Sequence, residues 1–344
     1  MDPAHSGTRW LVLLGNLRAV SFDEPALQSQ IGSFQMSTPA SIQLTKRVLD
    51  LGGTRLNVLS RRAHNAVPVL FLHGFPTFNG VWREVMRFLP DDFDCHAADL
   101  RGFDRSGAPL SGMSFSLLHG VADVVGLARL LSPDRKVVLV GHDIGGMIAY
   151  LTAARHPDIV EELIVLNGVH PVAFQHALLT DRKQILASDY LDDLCHPHAA
   201  SVLAADDFRQ LRKAFCRMLN GNEMPEGLEE ELLSIWRRPG ALEGMLAWYR
   251  ANRFQRADPN VSAVSTAAPS DAALSERISQ PHLLIWGTPD PYLLEVNCRL
   301  VDAFCDNLAL MKLEDAGHAP HLTCPDKVAQ GISHFLSGRV AKPD

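Results

Sequence analysis

The chain has 344 residues, of which 47% are hydrophobic and 21% charged, an ordinary composition for a soluble globular protein. The net charge of -7 and the absence of any Lys/Arg run argue against a nucleic-acid-binding surface. The longest early apolar stretch, residues 10–14, is too short for a membrane span. The six cysteines include no CxxC pair, so they indicate neither a zinc site nor a disulfide framework, and we expect a cytoplasmic protein.

Strand-like and helix-like stretches alternate along most of the chain. The predicted strands cover residues 42–49, 54–60, 67–72, 94–99, 136–140, 163–166, 282–286 and 307–313. The predicted helices between and after them cover residues 81–89, 115–131, 144–156 and 326–336. Because parallel strands need crossover connections, this alternation predicts right-handed strand–helix–strand units and a mostly parallel sheet.

The alternation stops after residue 168, and the next 90 residues or so have only helical patterns. A Pro/Ser/Ala-rich stretch, residues 259–269, then resembles a linker. We therefore predict an N-terminal arm, an α/β core in two parts, and a helical insertion between those parts. The corresponding boundaries are 1–40, 41–168 with 259–344, and 169–258.

The segment Gly141-His142-Asp143-Ile144-Gly145 directly follows one apolar strand and directly precedes a helix. This is the nucleophile-elbow pattern, in which glycines permit a sharp turn that exposes the residue between them. A carboxylate attacks without first losing a proton, and its alkylation gives an ester. Asp143 is therefore the candidate nucleophile. Capping of the following helix is the structural alternative, and the motifs described next favour the nucleophile.

Residues His73-Gly74-Phe75-Pro76 follow the buried-type strand 67–72. At that place the backbone N–H of Phe75, together with that of Ile144, is predicted to form an oxyanion hole. A simple turn is the alternative. We expect His73, Pro76 and His142 to line the substrate pocket.

An acid and a histidine follow two late strands. Asp290 comes just after the predicted strand 282–286, and His318 lies between the last strand and the last helix. An aspartate beside a histidine fixes the tautomer of the ring and stabilises the imidazolium that forms when it takes a proton from water. We predict that His318 activates water with Asp290 as its partner. Asp315 is the rival acid, but it is too close in sequence to reach the ring comfortably.

Taken together, these motifs resemble those of the epoxide hydrolase branch of the α/β-hydrolase superfamily, over roughly residues 42–338. The resemblance rests on residues 73–76, 99–102, 141–146, 286–290 and 317–318. It implies an α/β-hydrolase fold with a mostly parallel eight-stranded sheet, flanking helices and an inserted helical lid. An Asp-centred elbow is shared with the related dehalogenases. The chain departs from the family pattern at Asp104, where a glycine is usual, and at Ala319, where a bulky aromatic is common and whose small size predicts a wider pocket.

Two tyrosines favour an epoxide hydrolase over a dehalogenase. Tyr190 and Tyr249 fall in the predicted lid, at places similar to those of the family's two epoxide-polarising tyrosines, and the adjacent Trp248 is expected to line the pocket. The oxygen of an opened epoxide stays attached as an alkoxide, which phenols can stabilise and protonate, whereas a halide needs no proton. Aromatic packing of the lid is the alternative. Dehalogenases carry Trp or Arg after the nucleophile, and this chain has Ile144.

The resemblance thus implies an epoxide hydrolase that forms an ester on Asp143 and releases a vicinal diol, with no metal or organic cofactor. The expected partners are a small-molecule epoxide and water, with no nucleic acid and no membrane, and a homodimer is an open alternative to a monomer. A haloalkane or haloacid dehalogenase with the same triad is the nearest rival. A non-catalytic binding protein of the same fold is the rival from another class.

Overall fold

Each of the eight predicted strands is present in one eight-stranded sheet. The computed structural model describes residues 43–106, 112–259 and 277–337. The strands are β1 (Thr45–Asp50), β2 (Arg55–Arg61), β3 (Val67–Leu72), β4 (Phe93–Ala98), β5 (Val137–His142), β6 (Val160–Leu166), β7 (Ile278–Gly287) and β8 (Cys305–Leu313). Their order is β1-β2-β4-β3-β5-β6-β7-β8, with β2 antiparallel to β1 and β4 and all other neighbours parallel. The predicted α/β fold with a mostly parallel sheet is confirmed.

The burial of the strands explains their sequences. Every residue of β4 and β5 is buried, and so is every residue of β3 after the first, because helices cover both faces of the central sheet. In β3 and β5 this burial appears in the sequence as a largely apolar run, whereas β4 also buries Asp94 and His96. By contrast β1 is an edge strand, nearly all exposed, and it carries charged residues that discourage pairing with another chain.

The helices that flank the sheet largely follow the predicted ones. They are α1 (Arg83–Phe88), α2 (Leu117–Leu131), α3 (Ile144–Arg155), α10 (Val296–Leu300), α11 (Pro320–Thr323) and α12 (Pro325–Ser337). The predicted helix 81–89 begins instead with a 3₁₀ turn, Asn79–Trp82, before α1. The predicted helix 115–131 begins two residues later than expected, because Ser116 caps its first turn by accepting from the backbone N–H of His119.

Between β6 and β7 the described residues form helices and no strand. These helices are α4 (Pro171–Thr180), α5 (Arg182–Ala187), α6 (Tyr190–Cys195), α7 (Ala199–Met218), α8 (Leu228–Trp236) and α9 (Ala241–Ala251). We call residues 171–251 the helical segment. The predicted N-terminal arm and residues 260–269 of the predicted linker lie outside the described residues. In the part of the chain that is described, every helix is too short or too polar to cross a membrane.

Helix α7 is divided by a kink. Asp206, Asp207 and Phe208 have positive φ angles, between 51° and 61°, so the chain makes a left-handed turn there. Aspartate is among the residues that tolerate this conformation best, and Asp207 also forms an ion pair of 2.7 Å with Arg237. Phe208 is buried near the ring of Trp236. The kink was not predicted, because the sequence there contains neither glycine nor proline.

Candidate active site

The turn between β5 and α3 has the geometry of a nucleophile elbow. Asp143 lies between the two elements with φ 54° and ψ -120°, a conformation that is rare outside glycine. A Cβ atom on Gly141 would lie 2.5 Å from the carbonyl oxygen of Gly145, and one on Gly145 would lie 2.5 Å from that of His73. Neither position has room for a side chain. The tight turn therefore places the Asp143 carboxylate at the carboxyl edge of the sheet.

Residues 73–76 approach this carboxylate from the end of β3. The backbone N–H of Phe75 donates to Asp143 Oδ1 at 3.0 Å. A Cβ atom on Gly74 would lie 2.4 Å from Asp143 Cβ, so only glycine permits this approach. Ile144 begins α3, and the first N–H groups of a helix have no partner within the helix. One predicted oxyanion donor, the N–H of Phe75, therefore contacts the carboxylate, and the other belongs to the residue that directly follows Asp143.

His318 lies between the two aspartates. Its Nδ1 is 2.6 Å from Asp290 Oδ2, and its Nε2 is 3.6 Å from Asp143 Oδ2. Burial alone would lower the pKa of His318, but the charge of Asp290 and the hydrogen bonds to both carboxylates raise it to about 10. Burial would raise the pKa of Asp143, yet the hydrogen bond and charge of His318 and the bond from Phe75 lower it below its ordinary value. Asp143 is therefore ionised at neutral pH.

Asp290, rather than its rival Asp315, faces the histidine. Its Oδ1 accepts from the backbone N–H groups of Tyr292 at 2.8 Å and Leu293 at 2.9 Å. Asp315 is exposed and has a positive φ of 58°. The turn after β7 therefore fixes the carboxylate that orients the imidazole.

Asn167, at the end of β6, is a site residue that sequence reasoning missed. Its Nδ2 donates to Asp290 Oδ2 at 2.8 Å and to the carbonyl oxygen of Gly287 at 3.0 Å. Its Oδ1 accepts from the N–H of Gly287 at 2.7 Å, and its φ is 34°. This side chain therefore joins β6 to β7 and gives the acid a further donor. A lone asparagine after a strand carries no sequence signal of such a role.

We expect Asn167→Ala to lower the free energy of unfolding by about 1–3 kcal/mol, because it leaves buried polar groups of Gly287 and Asp290 without a partner. Urea denaturation measures this change. Asn65→Ala is the matched control, since Asn65 also has a positive φ, 56°, but lies exposed in a turn. Equal losses in the two variants would mean that backbone strain, and not the hydrogen bonds, accounts for the effect.

One cavity of about 620 Å³ opens over the Asp143 carboxylate and is walled mainly by the helical segment. Its wall includes Tyr190 and Tyr249 together with Asp143, His318 and Pro76. Burial raises the pKa of both phenols well above 10, and the nearby charge of Asp143 adds to this effect. Both phenols are therefore protonated at neutral pH and can donate hydrogen bonds. Other wall residues, described where they matter below, are mostly apolar.

Three residues were predicted to line the pocket but are not among the described residues that form its wall: His73, His142 and Trp248. His73 ties β3 to β4, since Nδ1 donates to the Gly74 carbonyl oxygen at 2.9 Å and Nε2 accepts from the N–H of Leu100 at 3.1 Å. His142 donates from Nε2 to the carbonyl oxygen of His318 at 2.9 Å. Burial lowers the pKa of each of these two histidines to about 4, so both are neutral supports of the site.

Trp248 points away from the cavity. Its Nε1 donates to the carbonyl oxygen of Arg101 at 3.0 Å, and its ring packs edge-on against Phe115. Because neighbouring residues of a helix project about 100° apart, α9 directs Trp248 into the core and Tyr249 toward the cavity. Ala319 is also buried in the core, so its small side chain does not widen the cavity as expected. Among the described residues, no group of three or more His, Cys, Asp or Glu side chains is arranged to hold a metal ion.

Known proteins resemble this chain in sequence and in architecture. A family model described as the alpha/beta hydrolase fold matches residues 67–325. Epoxide hydrolase 4 of Homo sapiens is 29% identical over 300 residues, which cover 85% of this chain and 78% of that protein. An epoxide hydrolase from Bacillus megaterium, solved in complex with an inhibitor, is 27% identical with a TM-score of 0.74, over 85% of this chain and all of that one.

A further solved structure comes from a set of epoxide hydrolases found in metagenomes from hot environments. It is 28% identical, has a TM-score of 0.76, and matches 87% of this chain and 100% of that chain. The two solved structures thus resemble this chain over most of its length in architecture, and the human protein does so in sequence. Because the family model alone spans well over half of the residues, this chain belongs to the α/β hydrolase fold family.

Proposed function

We propose that this protein is an epoxide hydrolase, which converts a small-molecule epoxide and water to a vicinal diol. One observation carries the proposal: a carboxylate nucleophile shares a single cavity with two protonated phenols. A carboxylate can attack a strained ring carbon, and phenols can supply the proton that the ring oxygen needs. The relatives named above are epoxide hydrolases, which supports the same conclusion.

In the first step, Asp143 Oδ2 attacks a ring carbon, and the carbon–oxygen bond of the ring breaks. Oδ1 is held by the N–H of Phe75, which leaves Oδ2 as the attacking oxygen. The released oxygen takes a proton from Tyr190 or Tyr249, and the product of this step is a hydroxyalkyl ester. Because Asp143 is already ionised, this step needs no base.

In the second step, the neutral form of His318 takes a proton from water, and the resulting hydroxide attacks the ester carbonyl carbon. Formation of the ester removes the negative charge of Asp143, one of the causes that raise the pKa of His318, so the imidazole then loses its proton more readily. The tetrahedral oxyanion develops on Oδ1, where the N–H groups of Phe75 and Ile144 hold it. The ester bond breaks, and His318 returns its proton to the leaving oxygen. Asp143, now a carboxylic acid, gives its proton back to the tyrosinate that the first step left, and the diol departs.

The helical segment is proposed to act as the lid over this reaction. It supplies both tyrosines and most of the cavity wall, while the two parts of the core supply the nucleophile and the acid–histidine pair. We propose the division that the sequence predicts, with the core at 41–168 and 259–344 and the lid at 169–258. A cytoplasmic location and a homodimer remain predictions, and light scattering of the purified protein tests the second.

Phenylalanine at either lid tyrosine tests the proposed function directly. We expect Tyr190→Phe and Tyr249→Phe each to slow epoxide turnover by roughly 10- to 1000-fold, because one donor to the alkoxide remains in each variant. The double variant should be nearly inactive. These rates are measured as diol formation from styrene oxide, with the diol quantified by chromatography. The melting temperatures of the variants should change little, because phenylalanine preserves the packing.

Tyr150→Phe is the matched control for these variants. Tyr150 is a buried tyrosine of α3 whose hydroxyl group lies 3.3 Å from His282 Nε2, away from the cavity, so its loss should not affect turnover. Full activity in both single lid variants would make the lid tyrosines ordinary packing residues. Halide release from a chloroalkane or from fluoroacetate, without diol formation from any epoxide, would instead support the dehalogenase. The buried aliphatic Ile144, where dehalogenases carry Trp or Arg, argues against that outcome.

A further inference from the structure

Arg217, near the end of α7, is exposed and forms part of the cavity wall, and it differs from its neighbouring arginines in having no carboxylate within 4.0 Å among the described residues. The other arginines of residues 209–250 all form ion pairs: Arg209 with Asp206, Arg212 with Glu229, Arg237 with Asp207, Arg238 with Asp104 and Arg250 with Glu243. Arg217 therefore contributes a positive charge to the cavity wall that no described protein carboxylate balances within 4.0 Å.

The guanidinium of Arg217 rests on an aromatic ring that is itself fixed. Its Cζ lies 5.6 Å from the centre of the Tyr292 ring, within the range of a cation–π contact. The Tyr292 hydroxyl donates to the carbonyl oxygen of Ala214 at 3.0 Å, and its backbone N–H donates to Asp290. A guanidinium that lies over a ring keeps the N–H groups along its edge free to bind a carboxylate with two hydrogen bonds.

This charge is close to the reacting groups. The Tyr292 ring centre lies 5.7 Å from that of His318, so a single aromatic ring separates the guanidinium from the catalytic imidazole. The cavity wall that contains these groups includes apolar residues of α6 and α7: Leu194, Ala199, Leu203, Leu211, Ala214 and Met218. A substrate that spans this space needs an apolar body with an epoxide at one end and an anion at the other.

We propose that Arg217 selects epoxides that carry a carboxylate about one aromatic ring away from the oxirane. The inference rests on the proposed function of the same cavity and names its substrate class. The other charged groups on the wall are Asp143 and His318, which pair with each other, and Asp193 of α6. Asp193 would favour a cationic substrate instead, so the test includes one.

The test compares three matched epoxides with the full-length protein: styrene oxide, its para-carboxylate and its para-(trimethylammonio)methyl derivative. We expect kcat/KM to be highest for the carboxylate, mainly through a lower KM. In Arg217→Gln the ratio of kcat/KM for the carboxylate to that for styrene oxide should fall roughly 10- to 100-fold, as expected for loss of a charged hydrogen-bonded contact. Added NaCl should lower this ratio in the unaltered protein, because salt screens exposed charges.

Arg212→Gln is the matched control. It lies on the same helix, but its guanidinium pairs with Glu229 at 2.5 Å and is not part of the cavity wall, so both kcat/KM values should stay unchanged. The inference is overturned if the unaltered protein does not prefer the carboxylate, if it prefers the cation, or if Arg217→Gln leaves the ratio unchanged.

Binding of the corresponding diols separates this inference from the proposed function. Calorimetric titration needs no turnover, and it should show tighter binding of the carboxylated diol than of phenylethanediol, with the difference lost in Arg217→Gln. If neither epoxide is converted but this difference is present, the proposed function fails and the anion site stands. If the epoxides are converted but the difference is absent, the anion site fails and the proposed function stands.

Discussion

Replacement of Asp143 by alanine is expected to lower diol formation to less than about a thousandth of the rate of the unaltered protein. The covalent route depends on this carboxylate, and its loss should cost at least ~4 kcal/mol of transition-state stabilisation. The rate of diol formation from styrene oxide, measured with excess protein to detect slow turnover, tests this expectation. A residual rate above that level would mean that another group, or water, opens the ring.

The fold of the Asp143→Ala variant should be retained. The side chain points into the cavity, and its removal frees only the N–H of Phe75 and the Nε2 edge of His318. The melting temperature should therefore stay within about 5 °C of that of the unaltered protein. Asp134→Ala, in the exposed turn before β5, is the control, and it should keep full activity. If the variant loses both its activity and its thermal unfolding transition, the loss of activity is due to unfolding and not to the loss of the nucleophile.

Replacement of His318 by glutamine should stop the reaction halfway. Asp143 needs no base, so alkylation should proceed, whereas hydrolysis of the ester should slow by about a thousandfold or more, as for loss of a member of a catalytic triad. Mass spectrometry of the intact protein should then show an added mass equal to that of the substrate. Peptide mapping should place the added mass on the peptide that contains Asp143.

The double variant Asp143→Ala/His318→Gln is the control for this experiment, and it should form no adduct. An adduct on another residue would show that Asp143 is not the nucleophile. If His318→Gln bound the substrate but formed no adduct, the two-step covalent route would be wrong, and direct attack by water would replace it. Rapid turnover by this variant would show that another group activates water.

The local sequence was sufficient to predict the elbow and most of the sheet. Gly141 and Gly145 are required by backbone contacts of 2.5 Å, so the pattern G-x-D-x-G after an apolar strand permits few other conformations. The central strands are buried on both faces, and a continuous apolar run reports that burial directly. These features depend on residues that are near one another in the chain.

Contacts between distant residues were not predictable in the same way. Asn167 reaches Asp290 across 123 positions, and only the pairing of β6 with β7 brings the two side chains together. Arg217 and Tyr292 meet for a similar reason, since the end of α7 packs against the turn after β7. The sequence pattern around a single residue does not indicate which elements become neighbours. The roles of these residues are therefore visible only in the tertiary structure.

The sequence by itself determined the fold class, the elbow and the order of the candidate nucleophile, acid and histidine, because each depends on backbone requirements within a few residues. Only the tertiary structure decided which way the helical segment faces. In the structure Tyr249 faces the cavity and Trp248 faces the core. Helix α7 has a left-handed kink, although its sequence contains no glycine. The physical reason is that an amphipathic helix specifies which of its faces is apolar, whereas the surface that covers that face is set by the packing of the whole chain.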